Sequence, residues 1–298
     1  MPNVFRLAYV DLATPSLEQA ASYYQDVIGA TVVESGAGDT YLSLGLDHHN
    51  IALHAAPRPH LRSIGLQLSR DVLLEDLTKR LRGSGLTVAA MTDPRPGVRA
   101  LLEVQAGGHC FQLFQEMDMP APGFAASGIV PNRIGHLAVI TPDAGKLLQF
   151  LTGELGFWKT DWFEEQVTFV TCNRDHHVLN IIEAPVTALH HLAFELRGRD
   201  HQITAVDQLA QKGLPVLWGP SRHTAGHNFA SYHSGADGML VEFYTDMDVF
   251  LPDLNSFEPR PWHGDLPQSP KHWSFNQMTR WETEFKFDFL TAAWGVEP

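Results

Sequence analysis

The sequence predicts an α+β fold: four βαβββ modules paired into two domains, each an incomplete mixed β-barrel with its helices outside. Three observations predict it. The stretch RLAYVDLATP at 6–15 overlays RIGHLAVITP at 133–142, so that Arg, a strand-like run and Thr-Pro coincide, which marks a duplication. A strand, a helix and a Gly stop recur in LRSIGLQLSRDVLLEDLTKRLRGSGL (61–86) and in LHHLAFELRGRDHQITAVDQLAQKGL (189–214), so each half contains two such units. Every helix is followed by roughly 30 residues of short β-rich runs, such as TYLSLGLDHHNIALHA and VTFVTCNRDHHVLNIIEA.

Each element has its own local cause. Leu17, Ala20, Tyr24 and Ile28 recur at helical spacing and stop at Gly29, and Leu147, Leu148, Leu151 and Leu155 do so before Gly156. A module of about 50 residues has one sheet face to bury and stands poorly alone, which favours pairing into units of about 115 residues. The first domain is placed at 1–119 and the second at 133–248, joined by the Pro-, Gly-, Ala- and Ser-rich linker PAPGFAASGIVPN at 120–132. Residues 249–298 have many prolines and aromatics and no periodicity. They are expected to form an ordered tail or lid wrapped on the second domain.

Composition narrows the partners. The formal charge of -13, with no Lys/Arg cluster, argues against nucleic acid or an anionic membrane and for a small-molecule partner. The opening MPNVFRLAYVDLATPS has no basic and apolar signal pattern, and no apolar run approaches the ~18 residues of a spanning helix. A cytoplasmic location is expected. Cys110 and Cys172 lie in apolar strand-like runs and are expected to be buried free thiols. Sixteen histidines in a chain with two cysteines point to imidazole chemistry.

The repeat supplies an internal control for that chemistry. His136, His191 and Glu242 of the second half fall in register with Tyr9, Ser63 and Gln112 of the first. Three metal-binding side chains are therefore present together in one half and absent together from the other. Two imidazoles and one carboxylate on separate strands form the set that holds non-haem Fe(II) on one face, with other positions left open. Strand alternation puts Ala138 beside His136, and Leu240 and Tyr244 beside Glu242. A lone His on a strand is more often structural. A buried Glu242 between Val241 and Phe243, however, costs several kcal/mol of desolvation unless a cation is near.

With GHLAV, HHLAFEL and VEFYTD set in four βαβββ modules, residues 5–248 resemble the vicinal oxygen chelate superfamily (glyoxalase/bleomycin resistance/dioxygenase). Within it the chain resembles the two-domain type I extradiol ring-cleavage dioxygenases. The resemblance implies extradiol (meta) cleavage of a catechol-type diol with dioxygen to a ring-opened semialdehyde or keto acid. It also implies Fe(II), with Mn(II) as the alternative, held by the second domain of a homo-oligomer, and a catalytically silent first domain. It places the ligand at His191, not His190, as the register against Ser63 also does. His177 matches the family's acid–base histidine over the oxygen site, a task suited to imidazole. His49 in the silent half shows that this turn also keeps histidines without catalysis. His223 matches the histidine that hydrogen-bonds a substrate hydroxyl, and Tyr232 the tyrosine that bonds the deprotonated catechol oxygen. Some relatives carry an acidic residue where Gly226 stands here, followed by His227, which leaves the partner of His223 open.

For the substrate, Phe169, Trp158 and Trp162 suggest aromatic walls, and Arg260 and His263 of the tail could close over the site and meet a carboxylate. Both a carboxylated catechol and a bicyclic diol fit this reading. Two other functions compete: a non-redox lyase or isomerase of the same superfamily, and a metal-free protein that binds aromatic ligands.

Overall fold

The computed structural model describes residues 2–92 and 95–296. The first half contributes β1 (Val4–Thr14), α1 (Leu17–Tyr23), β2 (Thr31–Ser35), β3 (Asp39–Ser43), β4 (Ile51–Ala55), β5 (His60–Leu68), α2 (Leu74–Gly83), β6 (Thr87–Met91), β7 (Val98–Ala106) and β8 (His109–Met117). The second half contributes β9 (Arg133–Thr141), α3 (Ala144–Gln149), β10 (Trp158–Phe163), β11 (Val167–Thr171), β12 (Leu179–Glu183), β13 (Ala188–Glu195), α4 (Arg199–Gln211), β14 (Val216–Arg222), β15 (Phe229–Ser234) and β16 (Leu240–Thr245). Each half is thus two βαβββ modules in succession. The strands form one mixed sheet per half, ordered β2-β3-β4-β1-β5-β8-β7-β6 and β14-β15-β16-β13-β9-β12-β11-β10. The first strands of the two modules lie side by side and antiparallel at the centre of each sheet, β1 on β5 and β9 on β13.

The Arg that opens each half has the same task twice. Arg6 makes two hydrogen bonds to Asp47, at 2.8 and 2.9 Å, and Arg133 makes two to Asp175, both at 2.8 Å. Each such pair ties the central strand to the loop before β4 or β12, the loop that carries the paired histidines. The helical spacing continues past α1 and α3, but as a π-helical turn, Tyr24–Ile28 and Phe150–Glu154. Gly29 and Gly156 stop those turns at φ 83° and 77°, a left-handed conformation that glycine adopts without a Cβ penalty.

α1 and α3 lie outside their own sheets but between the two halves. Phe150 packs on Phe111 at 5.2 Å between ring centroids, and the Tyr23 hydroxyl lies 2.7 Å from His233 Nε2. A Cβ on Gly107 would come within 2.6 Å of the Leu147 Cβ. One apolar cluster accordingly runs from Leu7 and Ile64 through Phe111 and Phe150 to Leu192 and Phe243. Cys172 is buried and Cys110 only half-buried; both are free. Burial pushes the Cys110 thiol up to about 12, so it stays protonated and unreactive.

The tail is ordered on the second half. After the small hairpin β17 (Phe250–Leu251) and β18 (Ser256–Phe257), β19 (His272–Trp273) joins the edge strand β10 in parallel. Thr279 then bridges to His223, and Trp294 reaches Leu189 of β13. Among the described residues no helix is long and apolar enough to cross a membrane.

Candidate metal centre

Register builds the centre. On β13, Ala193 pairs with His136 of β9 on one side and with Glu242 of β16 on the other. His191 stands two residues before Ala193, so all three polar side chains project from one sheet face. The methyl group of Ala193 leaves space between them. His136 Nε2 lies 3.1 Å from Glu242 Oε2 and His191 Nε2 lies 3.3 Å from the same oxygen, while the two Nε2 atoms are 3.3 Å apart. All three residues are buried.

The charge of Glu242 has an unusual setting. Asn228 Nδ2 donates to its Oε1 and the Tyr232 hydroxyl to its Oε2, each at 2.7 Å. Among the described residues its ion-pair partners are all histidines: His136, His191 and His223. Burial pushes its carboxyl up, but His136 and His223, with the hydrogen bonds from His136 and Tyr232, outweigh that and hold it below the ordinary value. Burial drives His191 well below the ordinary histidine range, so it is neutral and has a lone pair to give. Two imidazole nitrogens and one carboxylate oxygen, converging in a buried site where no Lys or Arg among the described residues pairs with the carboxylate, suit a divalent first-row metal.

The first half shows how the same place is closed when it holds no such set. Gly65 stands where Ala193 does, paired with Tyr9 and Gln112, and the Tyr9 ring covers it. Tyr9 donates to Gln112 Oε1 at 2.6 Å and Ser63 to Asp11 Oδ2 at 2.5 Å. The guanidinium of Arg95 supplies the cation. It donates to Gln112 at 2.8 Å and doubly to Asp11 at 2.6 Å, 4.5 Å above the Tyr9 ring.

Around the cluster of His136, His191 and Glu242 the structure brings together most of the other expected residues. His177 packs on His136 at 4.3 Å and on Phe169 at 5.0 Å between ring centroids, and burial drives it well below the ordinary range. His223 stacks on Trp218 at 4.6 Å, and its Nε2 lies 3.1 Å from the Tyr232 hydroxyl. Tyr232 is therefore the partner that Gly226 could not provide. Burial, and then the Glu242 charge, raise Tyr232 well above the ordinary tyrosine range, so it remains a neutral donor. These groups share a cavity with about 550 Å³ of empty space, part of it open to solvent. Its apolar side is built by Phe163, Phe169 and Ile182, and by Phe275, Met278, Phe289 and Leu290 of the tail. Because residues from seven strands and the tail face one cavity, the sheet must curl around it.

Four expected contacts are absent from that cavity. Arg260 does not reach it; its guanidinium turns to Glu258 at 3.0 Å, a nearer anion than any substrate. His263 is held on Asp248 at 2.8 Å. Trp158 packs on Phe250 instead, and Trp162 lies under Lys159. Asn228 and the four tail residues were not legible as site residues, because a single loop Asn and scattered Phe and Leu have no pattern.

A second group, His227, Asp248 and His263, also clusters within ligand range. Two of its nitrogens are already engaged with the carboxylate: His227 Nδ1 and His263 Nε2 meet separate Asp248 oxygens at 2.7 and 2.8 Å. That group is a latch between the β14–β15 loop and the tail.

The chain is 27% identical over 277 residues to 2,2',3-trihydroxybiphenyl dioxygenase of Sphingomonas paucimobilis, covering 86% of this chain and 91% of that one. It is 23% identical over 303 residues to the manganese-dependent 2,3-dihydroxybiphenyl 1,2-dioxygenase of Geobacillus genomosp. 3, covering 93% and 95%. Homoprotocatechuate 2,3-dioxygenase of Brevibacterium fuscum shares the fold with a TM-score of 0.82 at 21% identity, covering 98% and 93%. The Mn(II)-bound glyoxalase of Novosphingobium aromaticivorans does so with a TM-score of 0.83 at 24% identity, covering 96% and 93%. Residues 133–243, which include the strands of His136, His191 and Glu242, match the Glyoxalase/Bleomycin resistance protein/Dioxygenase superfamily.

Proposed function

We propose that the protein is an extradiol dioxygenase that opens a catechol ring with dioxygen, using Fe(II) or Mn(II) held by His136, His191 and Glu242. One observation carries the reading: the buried two-histidine, one-carboxylate set opens directly onto a cavity that also holds His177, His223 and Tyr232. Relatives covering most of the chain are named as dioxygenases of hydroxylated biphenyls. The metal, when bound, supplies the redox chemistry that lets ground-state dioxygen react with the diol.

The protein groups do the rest. Tyr232 and His223 sit together on one side of Glu242, placed to hydrogen-bond the diol oxygens and hold the ring in one orientation. His177 packs against His136, buried and neutral, where it can take a proton from the substrate hydroxyl and return it to oxygen. The apolar walls exclude water from the reacting face. Because no Lys or Arg among the described residues lines the cavity, a substrate carboxylate would be buried without a cationic partner, at a cost of several kcal/mol. An uncharged catechol with an apolar substituent therefore fits better than a carboxylated one.

The test is a spectrophotometric screen of protein reconstituted with Fe(II) or Mn(II) against catechol, 2,3-dihydroxybiphenyl and 3,4-dihydroxyphenylacetate. A yellow ring-opened product from the first two, dependent on oxygen and metal, is expected. Oxygen-independent turnover, or no cleavage of any diol by metal-loaded protein, would remove the assignment.

A further inference from the structure

His191 follows another histidine, and the two rings are joined nitrogen to nitrogen, with His190 Nδ1 lying 2.7 Å from His191 Nδ1. One proton must sit between two neutral imidazoles so bonded, and the far side of His190 decides which ring owns it. There, His190 Nε2 lies 2.5 Å from the backbone carbonyl oxygen of Phe289. A carbonyl oxygen only accepts, so His190 carries its proton on Nε2. Its Nδ1 is then the bare acceptor, and His191 must donate from Nδ1. That leaves Nε2 of His191 bare, and Nε2 is the nitrogen turned toward Glu242 and His136. The order of hydrogen bonds thus runs from the site to the tail: His191 to His190 to Phe289.

We propose that His190 is a positioning residue for His191, and that the tail completes the metal site by fixing, through the Phe289 carbonyl, which nitrogen of His191 is bare. The inference rests on the reading of His191 as a metal ligand. Phe289 is well placed for this. Its ring packs on His190 at 4.7 Å and on Tyr232 at 5.4 Å, so the residue that lines the cavity also lends its backbone to the hydrogen-bond relay. At the equivalent positions the first half has Arg62 and Ser63, which cannot form such a relay. The consequence is a two-way coupling: a seated tail strengthens metal binding, and bound metal strengthens the seating of the tail by the same factor.

Three measurements test it with Mn(II) alone as the probe. Long-range nitrogen–proton NMR of the metal-free wild type should show His191 protonated on Nδ1 and His190 on Nε2. Calorimetric titration should show Mn(II) bound about 10- to 100-fold more weakly by His190→Phe, the usual effect of losing such a partner. His190→Asn, whose side-chain oxygen can stand in for the Nδ1 acceptor, should recover most of that loss. Hydrogen exchange of the 285–294 backbone should slow on adding Mn(II) to the wild type and change little in His190→Phe. The proposal is overturned if wild-type His191 is protonated on Nε2, or if His190→Phe binds Mn(II) as the wild type does. Should His190→Phe fail to fold, the wild-type NMR and exchange measurements still decide. If the wild type binds no metal, the ligand reading fails instead, and the NMR result stands separately.

Discussion

Glu242 and Gln112 occupy the same place in two copies of one module and differ by a single charge. Changing Glu242→Gln repeats the first half's choice in the second. The amide is nearly isosteric and keeps hydrogen-bonding capacity, so the fold should survive. Loss of a ligand should exceed the 10- to 100-fold effect typical of a ligand's neighbour, giving a drop in metal affinity of more than about 100-fold; metal analysis after dialysis measures it, and full occupancy would contradict the assignment. In the first half the corresponding question concerns Arg95. It is 7% exposed on its side chain and paired with Asp11, which is 6% exposed, and Asp11 is held well below the usual carboxylate range because Arg95, His54 and Ser63 overcome its burial. Arg95→Met should destabilise the protein by about 3–5 kcal/mol by leaving a buried charge without a partner, and adding Asp11→Asn should restore most of it. Urea unfolding of the two variants tests this, and equal destabilisation of both would show that packing, not charge, is lost. The triad was legible because three substitutions coincide across the repeat. Arg95 was not, because an arginine in the loop text RPGVR resembles any solvated arginine until the fold brings it over Tyr9.

At the scale of elements, repeated text predicted repeated structure, and all sixteen module strands and four helices follow from it. The π-helical turns after α1 and α3 were not legible, since apolar spacings of three and four residues fit an α-helix as well. The tail was legible only as something ordered. Its segments bind by backbone pairing to β10 and to the His223 strand, and by single side chains such as Trp273, whose Nε1 donates to Asp161 at 2.7 Å. None of these contacts leaves a periodic trace in the sequence. The same reason explains why Arg260 was given a substrate it does not meet: nothing local told the reader that Glu258 lay closer. Asp248, at the point where the chain leaves the sheet for the tail, tests how the tail is held. It accepts from His227 and His263, and these two hydrogen bonds, overcoming its burial, hold it well below the ordinary carboxylate range. Asp248→Ala should release the hairpin that follows and make the tail cleavable by protease under conditions where the wild type resists. Protease resistance equal to wild type would show that β19 alone seats the tail.

For the whole molecule, duplication leaves two halves that share one core but carry different side chains at the corresponding place, and both consequences can be measured. Burial lowers His49 well below its usual range and His233 to about 3, so both are neutral in the fold. In the unfolded chain each takes a proton near pH ~6.5. Below that pH the unfolded state binds more protons, and stability falls as pH drops, by roughly 1.4 kcal/mol per pH unit for each such histidine. Asp11 and Asp248, lowered in the fold, act in the same direction at more acid pH, since their contribution is lost as pH falls through the carboxylate range. The urea midpoint of metal-free protein should therefore decline steadily from pH 6.5 to 5, and His233→Asn should flatten that slope. The difference in side chains makes the last prediction. The second half offers a converging set of two nitrogens and one oxygen around the space over Ala193, whereas the first has filled the equivalent space with the Tyr9 ring and the Arg95 guanidinium. A built-in cation and a metal ion cannot occupy one buried place, because their repulsion in a low-dielectric site would far exceed what Gln112 and Asp11 could repay. Protein loaded anaerobically with Fe(II) or Mn(II) should thus hold one ion per chain, and Glu242→Gln should reduce that toward none. Two ions per chain would mean that Arg95 yields its place, and the account of the first half as a closed copy would have to be abandoned.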